Sequence, residues 1–187
     1  MRSILFSSFL FLMFQQTYAQ VIETVEPSFI RTVQFSGSTN QSELPIIELG
    51  QRLQLSFDDI NGDEVDYYYT IEHFNFDWTP SDLSKGEYLD GFDDVRIEFY
   101  ENSFNTLQIF SHYSVNIHNR ETRAIQKSGN YLLSIFDDDG YIVFSRKFMV
   151  MERDLSVQVE IKRARDIRKI REQQVVHFTI DSRDLLL

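Results

Sequence analysis

Apolar and polar positions alternate with a period of two along much of the chain. Leu53, Leu55 and Phe57 stand against Arg52, Gln54 and Ser56; Tyr67, Tyr69 and Ile71 against Asp66, Tyr68, Thr70 and Glu72; Val95, Ile97 and Phe99 against Arg96, Glu98 and Tyr100. Successive side chains of a strand point to opposite faces, so this pattern predicts strands with one face buried and one face wet. Further strands are expected over residues 29–35, 107–117, 130–136 and 141–150. Asn61-Gly62 and Asp139-Gly140 supply the positive φ of tight hairpin turns between them. With no convincing long helix, these elements read as an immunoglobulin-like antiparallel β-sandwich.

The texture changes near Met151. Val157, Val159 and Ile161 alternate, a basic segment follows over 162–171, and Val176, Phe178 and Ile180 alternate again. Residues 164–172, ARDIRKIRE, would form one or two helical turns in isolation, with Ile167 and Ile170 on one side, but are read as the connection between two strands of a new unit. That unit is expected to be the start of a second, incomplete β-rich domain over 153–187, following a sandwich domain over 20–152.

The first nineteen residues are read separately. Met1-Arg2-Ser3 precedes the apolar run ILFSSFLFLMF, and Thr17 and Ala19 flank Tyr18 in a small-x-small cleavage pattern. This is the organisation of a secretory signal peptide cut before Gln20. Its apolar run is too short to span a bilayer. The chain has no cysteine, so an exported fold must rest on its apolar core alone. The formal charge is −11, which repels phosphate backbones and makes nucleic acid a poor partner. No direct membrane insertion is expected.

Candidate chemistry is sparse. Asp58, Asp59, Asp63, Glu64 and Asp66, and the run Asp137-Asp138-Asp139, suggest calcium, but aligning Gly62 with the EF-hand glycine makes Phe57 the first ligand. Solvated turns account for these acids more simply. His73, His112, His118 and His177 show no metal-ligand spacing; His112 and His118 would lie about 20 Å apart on an extended strand. No nucleophile elbow or phosphate loop occurs. The expectation is a protein with no catalytic residue, no cofactor and no metal.

The segment EHFNFDWTPSDLSKGEYLDGF, residues 72–92, carries the single tryptophan, Trp78, in what reads as a long loop. Pro80 stops the preceding strand and Ser81 can start a short helical turn across Asp82 and Leu83. Phe74, Phe76, Trp78, Leu83, Tyr88, Leu89 and Phe92 would then close one end of the sandwich as an apolar cluster. The alternative is an exposed docking surface. Trp78, Leu83, Tyr88 and Phe92 are the candidate residues for either role, partner contact or loop packing.

Residues 67–92, then SFNT at 103–106, His112-Tyr113, SGNYLL at 128–133 and RKFMVME at 146–152 form an ordered series. Together they resemble the N-terminal domain of the plug protein of the type IX secretion system, the export machine of the Bacteroidota outer membrane. Phe74 departs from that pattern, where a smaller residue is expected, as does the end at DSRDLLL, which suggests a chain cut short. The resemblance implies a periplasmic, non-enzymatic stopper that closes the periplasmic mouth of the outer-membrane translocon barrel and associates with the outer membrane through that partner. A secreted carbohydrate-binding or adhesion sandwich, using exposed Trp and Tyr as sugar-stacking platforms, is the rival reading, and an unrecognised hydrolase the third.

Overall fold

The computed structural model describes residues 19–37, 45–152, 155–166, 168–169 and 171–182. Residues 1–18 of the expected leader and the connector residues Ile167 and Ile170 therefore fall outside the described residues. Two sheets form the body. One has the order β1 (Ile30–Gly37), β3 (Leu53–Asp59), β8 (Ser111–Ile117) and β7 (Phe99–Asn102). The other runs β2 (Ile46–Glu48), β11 (Ile142–Met151), β10 (Gly129–Phe136), β4 (Tyr68–Phe74) and β6 (Val95–Arg96). All pairs are antiparallel except β2 with β11. This is the strand order of an immunoglobulin-like sandwich, with β6 added beside β4 as in variable-type domains.

The alternating residues form the core. Leu53, Leu55, Phe57, Tyr69 and Ile71 are fully buried, and Tyr67 nearly so. Phe57 joins the two sheets, meeting Phe144 of β11 edge-on at 5.2 Å and stacking on Tyr113 of its own sheet at 5.2 Å. Tyr67 donates its hydroxyl proton to the buried Asp59 carboxylate at 2.8 Å, giving that carboxylate a partner away from water. At the start of β10, the hydroxyl of buried Tyr131 donates to the carbonyl of Lys127 at 2.7 Å. This back-bond from a strand-F tyrosine is a tyrosine corner. Leu133, two residues on, is fully buried where antibody domains carry a disulfide cysteine.

Three expectations are corrected. The alternation over 95–100 is not one strand: β6 belongs to the five-stranded sheet and β7 to the four-stranded one, so the chain crosses between them at Ile97, whose N–H donates to the carbonyl of Tyr67. Phe99 is consequently exposed while Tyr100 packs on the core. The strand expected from 107 begins only at Ser111, because Leu107 and Ile109 sit in a loop and face solvent. Asn61-Gly62 links β3 to β4 in the opposite sheet and so is not a hairpin, whereas the turn at 137–140 does join the paired strands β10 and β11.

The basic segment connects β12 (Leu155–Arg163) to β13 (Gln174–Ser182), a two-stranded antiparallel hairpin. Its register sets Val157 opposite Ile180, Val159 opposite Phe178 and Ile161 opposite Val176. All six are exposed.

Candidate partner-docking site

The segment holding Trp78 is not an unstructured loop. Asn75 accepts from the Trp78 N–H at 3.0 Å and donates to the Thr79 carbonyl at 2.9 Å, closing a tight turn over Phe76 and Asp77. Asp77 secures it by accepting from the Thr79 N–H and hydroxyl, and these bonds hold its carboxyl below the usual range. A short helix, α1 (Lys85–Tyr88), follows and is capped at Ser84, not begun at Ser81 as expected. The Glu87 carboxylate reaches back to the Ser84 N–H and hydroxyl, as in a capping box. The chain then enters β5 (Leu89–Gly91), which pairs with β9 (Thr122–Ile125).

Of the four candidate residues, Leu83 and Tyr88 line one cavity of about 470 Å³ with Phe74 and Pro80, while Trp78 and Phe92 are not in its lining. Tyr88 is buried, its ring packed against both His73 and Tyr131, which also meet each other, and its hydroxyl donating to the Ile71 carbonyl at 3.3 Å. Leu83 is partly buried against the core. Phe92 is 75% exposed, held by its N–H to the Glu121 carbonyl and by the Thr122 hydroxyl donating to its own carbonyl. Trp78 is half-buried, with φ of 64°. Its carbonyl accepts the Val21 N–H at 3.0 Å, and its ring lies 6.4 Å from that of Phe74 and beneath the Lys147 ammonium. The expected end cluster is therefore partial: Phe74, Tyr88 and Leu89 are buried, but Phe76 is 93% exposed and stands outside it with Phe92. Phe74 turns inward and is 6% exposed.

Trp78 instead fixes the N-terminal arm that follows the expected cleavage point. From Val21 the arm runs along the outer edge of β11. Ser145 N–H donates to the Thr24 carbonyl at 3.0 Å, Lys147 N–H to the Glu23 carboxylate at 2.5 Å, and Met149 N–H to the Pro45 carbonyl at 2.8 Å. Arg146 pairs with Glu26 and holds its carboxyl below the usual range. The arm and β2 thus cover a strand edge that would otherwise invite pairing with another chain.

Other concave regions are lined by polar and charged groups. A cavity of about 230 Å³ is lined by Arg52, Arg96, Glu98, His118 and Glu121, with cations and carboxylates together. One of about 520 Å³ has the cross-strand aromatic pair Tyr68 and Phe136 beside Asp93, Asp94, Asp137 and Asp138. His112 bonds Asp58 at 2.6 Å on the wet face of its sheet. Among the described residues, no three His, Asp or Glu side chains converge as a metal site, and no helix is long and apolar enough to cross a membrane.

The end of the sandwich opposite Trp78 was not singled out by sequence. The links 60–67, 103–110 and 137–141 meet there, because Asp59 lies opposite Ser111 and Tyr68 opposite Phe136. Phe104 is 93% exposed and Leu107 fully so, with Ile109 and Tyr141 also largely exposed. The available signal was the absence of charge from Asn102 to Ser111 in an acidic chain.

The profile of the family described as "Type 9 secretion system plug protein 1st domain" matches residues 30–152. The chain belongs to this family. Its membership ties it to a protein-secretion system. A solved structure of a hypothetical protein from Parabacteroides merdae ATCC 43184 is similar, at 26% identity and a TM-score of 0.73. That likeness covers 89% of this chain and 43% of the other, so this type IX plug-family chain spans less than half the length of that relative. The Pseudomonas fluorescens alkylpurine DNA glycosylase AlkC bound to abasic-site DNA matches at 13% identity and a TM-score of 0.36, over 65% of this chain and 29% of that one, which carries no argument. No curated protein matches.

Proposed function

We propose that this chain is the first domain of a non-enzymatic plug that closes the periplasmic mouth of the type IX translocon barrel. The observation that carries this is the family match over 30–152, on residues that form one sandwich core. A stopper asks for a body that keeps its shape, and an aromatic core with the β11 edge covered by the arm and β2 supports one. Export through a signal peptide cut before Gln20 would deliver it to the periplasm, and the translocon would hold it at the outer membrane. Co-purification of the barrel with this protein from native outer membranes tests the reading, together with permeability after gene deletion. The plug reading requires a shared complex and a leaky membrane.

The domain division belongs to the same proposal. The sandwich would fold by itself over 20–152, while residues 153–187 form part of a second β-rich unit, supported by the exposed apolar face of the β12–β13 hairpin. Limited proteolysis should cut in 153–187 first.

One observation favours the rival reading of a carbohydrate-binding or adhesion module. The Tyr68–Phe136 pair flanked by carboxylates resembles a sugar-stacking platform with hydroxyl acceptors. Polysaccharide pull-down, with Tyr68→Ala as the control, decides between the two.

A further inference from the structure

Residues 103–110 stand out because their exposure opposes their chemistry. Phe104 and Leu107 are almost wholly in water, where exposed apolar surface is unfavourable. The loop is nevertheless held in one shape. Ser103 N–H donates to the Phe110 carbonyl at 2.8 Å, and Phe110 N–H returns to the Ser103 hydroxyl at 2.9 Å. Thr106 donates to the Gln108 carbonyl, and the Gln108 amide donates to the carbonyls of Ile60 and Ile109. Ile109 lies so close to Gly62 that a Cβ there would stand 2.8 Å from its side chain. The Asn102 amide is tied to Glu64 at 2.8 Å. A preset loop loses little freedom on binding, which raises the return from each contact.

Its surroundings define the occupant. No charge occurs from Asn102 to Ser111, but Glu101, Asp63 and Glu64 flank the loop and Asp137, Asp138 and Asp139 sit at the same end. Of the cations on these strand ends, Arg96 pairs with Asp66, and Arg31 lies opposite Asp58. An apolar tip inside an acidic rim is repelled by anionic lipid headgroups and by a second copy of itself. It matches a protein surface with an apolar pocket and a basic rim.

We propose that residues 103–110 are the docking prong of this domain, inserting Phe104 and Leu107 into a basic-rimmed apolar pocket of its protein partner. The proposal rests on the plug reading, which supplies the translocon as the partner to test. It also gives the SFNT stretch a role that its loop position alone does not.

The experiment measures binding of the chain to the purified type IX translocon barrel in detergent, for the wild type, for Phe104→Ser with Leu107→Ser, and for Asp63→Asn. The double variant removes only exposed side chains, so its melting temperature should equal that of the wild type. Its affinity should fall about thirtyfold or more, as for central apolar anchors. Asp63→Asn should weaken binding severalfold at low salt and lose that difference at high salt. Undiminished binding of the double variant to a barrel that the wild type binds overturns the prong while leaving the plug reading intact. Failure of the wild type to bind overturns both. Binding of the chain to anionic phospholipid vesicles, or its dimerisation in ultracentrifugation, lost in the double variant, also overturns the assignment to a protein pocket.

Discussion

The ammonium nitrogen of Lys147 lies 4.4 Å from the centre of the Trp78 ring, on a residue whose backbone is left-handed at φ of 64°. Trp78 is therefore a clamp between the loop, β11 and the N-terminal arm, neither a core residue nor a free anchor. Trp78→Ala should cost about 1–2 kcal/mol, from a lost cation–π contact and partial burial, against roughly 3–5 for a fully buried aromatic. Trp78→Gly should be the more stable of the two variants, since glycine accepts the left-handed backbone that costs other residues roughly 1–2 kcal/mol. Urea denaturation decides; a loss above about 3 kcal/mol for Trp78→Ala would return the side chain to the core.

Gly129 and His73 bring two separate sequence stretches into contact. At φ of 149°, a Cβ on Gly129 would stand 2.3 Å from the His73 Nε2. Gly129→Ala should destabilise by more than about 1 kcal/mol from the backbone alone, with a further loss from the clash. Adding His73→Ala should recover the second part and not the first, giving a coupling of about 0.5–3 kcal/mol in a double-mutant cycle. Additive effects would contradict the contact.

Burial pulls the His73 pKa below its ordinary value, aided by the charge of Lys127, and burial with the Arg52 charge does the same for His118. Below about pH 6.5 the unfolded chain takes up protons that the folded one resists. Stability is thus full above that pH and is lost as pH falls through the folded-state values. Urea midpoints at pH 7.5, 6.5 and 5.5 should decline for the wild type and flatten for His73→Gln with His118→Gln. The Glu26 carboxyl, lowered by its bond to Arg146, acts only further down, below about pH 4.5. An unchanged slope in the double variant would contradict the assignment.

Tyr131→Phe removes the bond to the Lys127 carbonyl without emptying the core. It should cost about 1 kcal/mol by thermal or urea unfolding, and no measurable loss would make the corner incidental.

The sandwich was legible where strands keep one face inward for their whole length: every inward residue expected in 53–57 and 67–71 is buried. Alternation misled where the chain changes sheets. Val95 and Ile97 face inward in one phase, but after the crossing Tyr100 takes the core side and Phe99 faces water. Apolarity was mistaken for burial at Leu107 and Ile109, because a pattern records residue type and not environment. Three-residue β2 is too short to show a period, and the β5–β9 pair joins segments far apart in sequence. The Trp78 segment was recognised as special, but which of its aromatics turn inward depends on the turn at 75–78 and the cap at Ser84.

Occlusion of the barrel by this protein can be read as a change in channel conductance. Purified type IX translocon in a planar bilayer should pass current when no substrate occupies it. Adding this protein to the periplasmic side should lower that current saturably and reversibly, while adding it to the opposite side should not. An open-channel current unchanged at saturating protein, on either side, would contradict the plug reading.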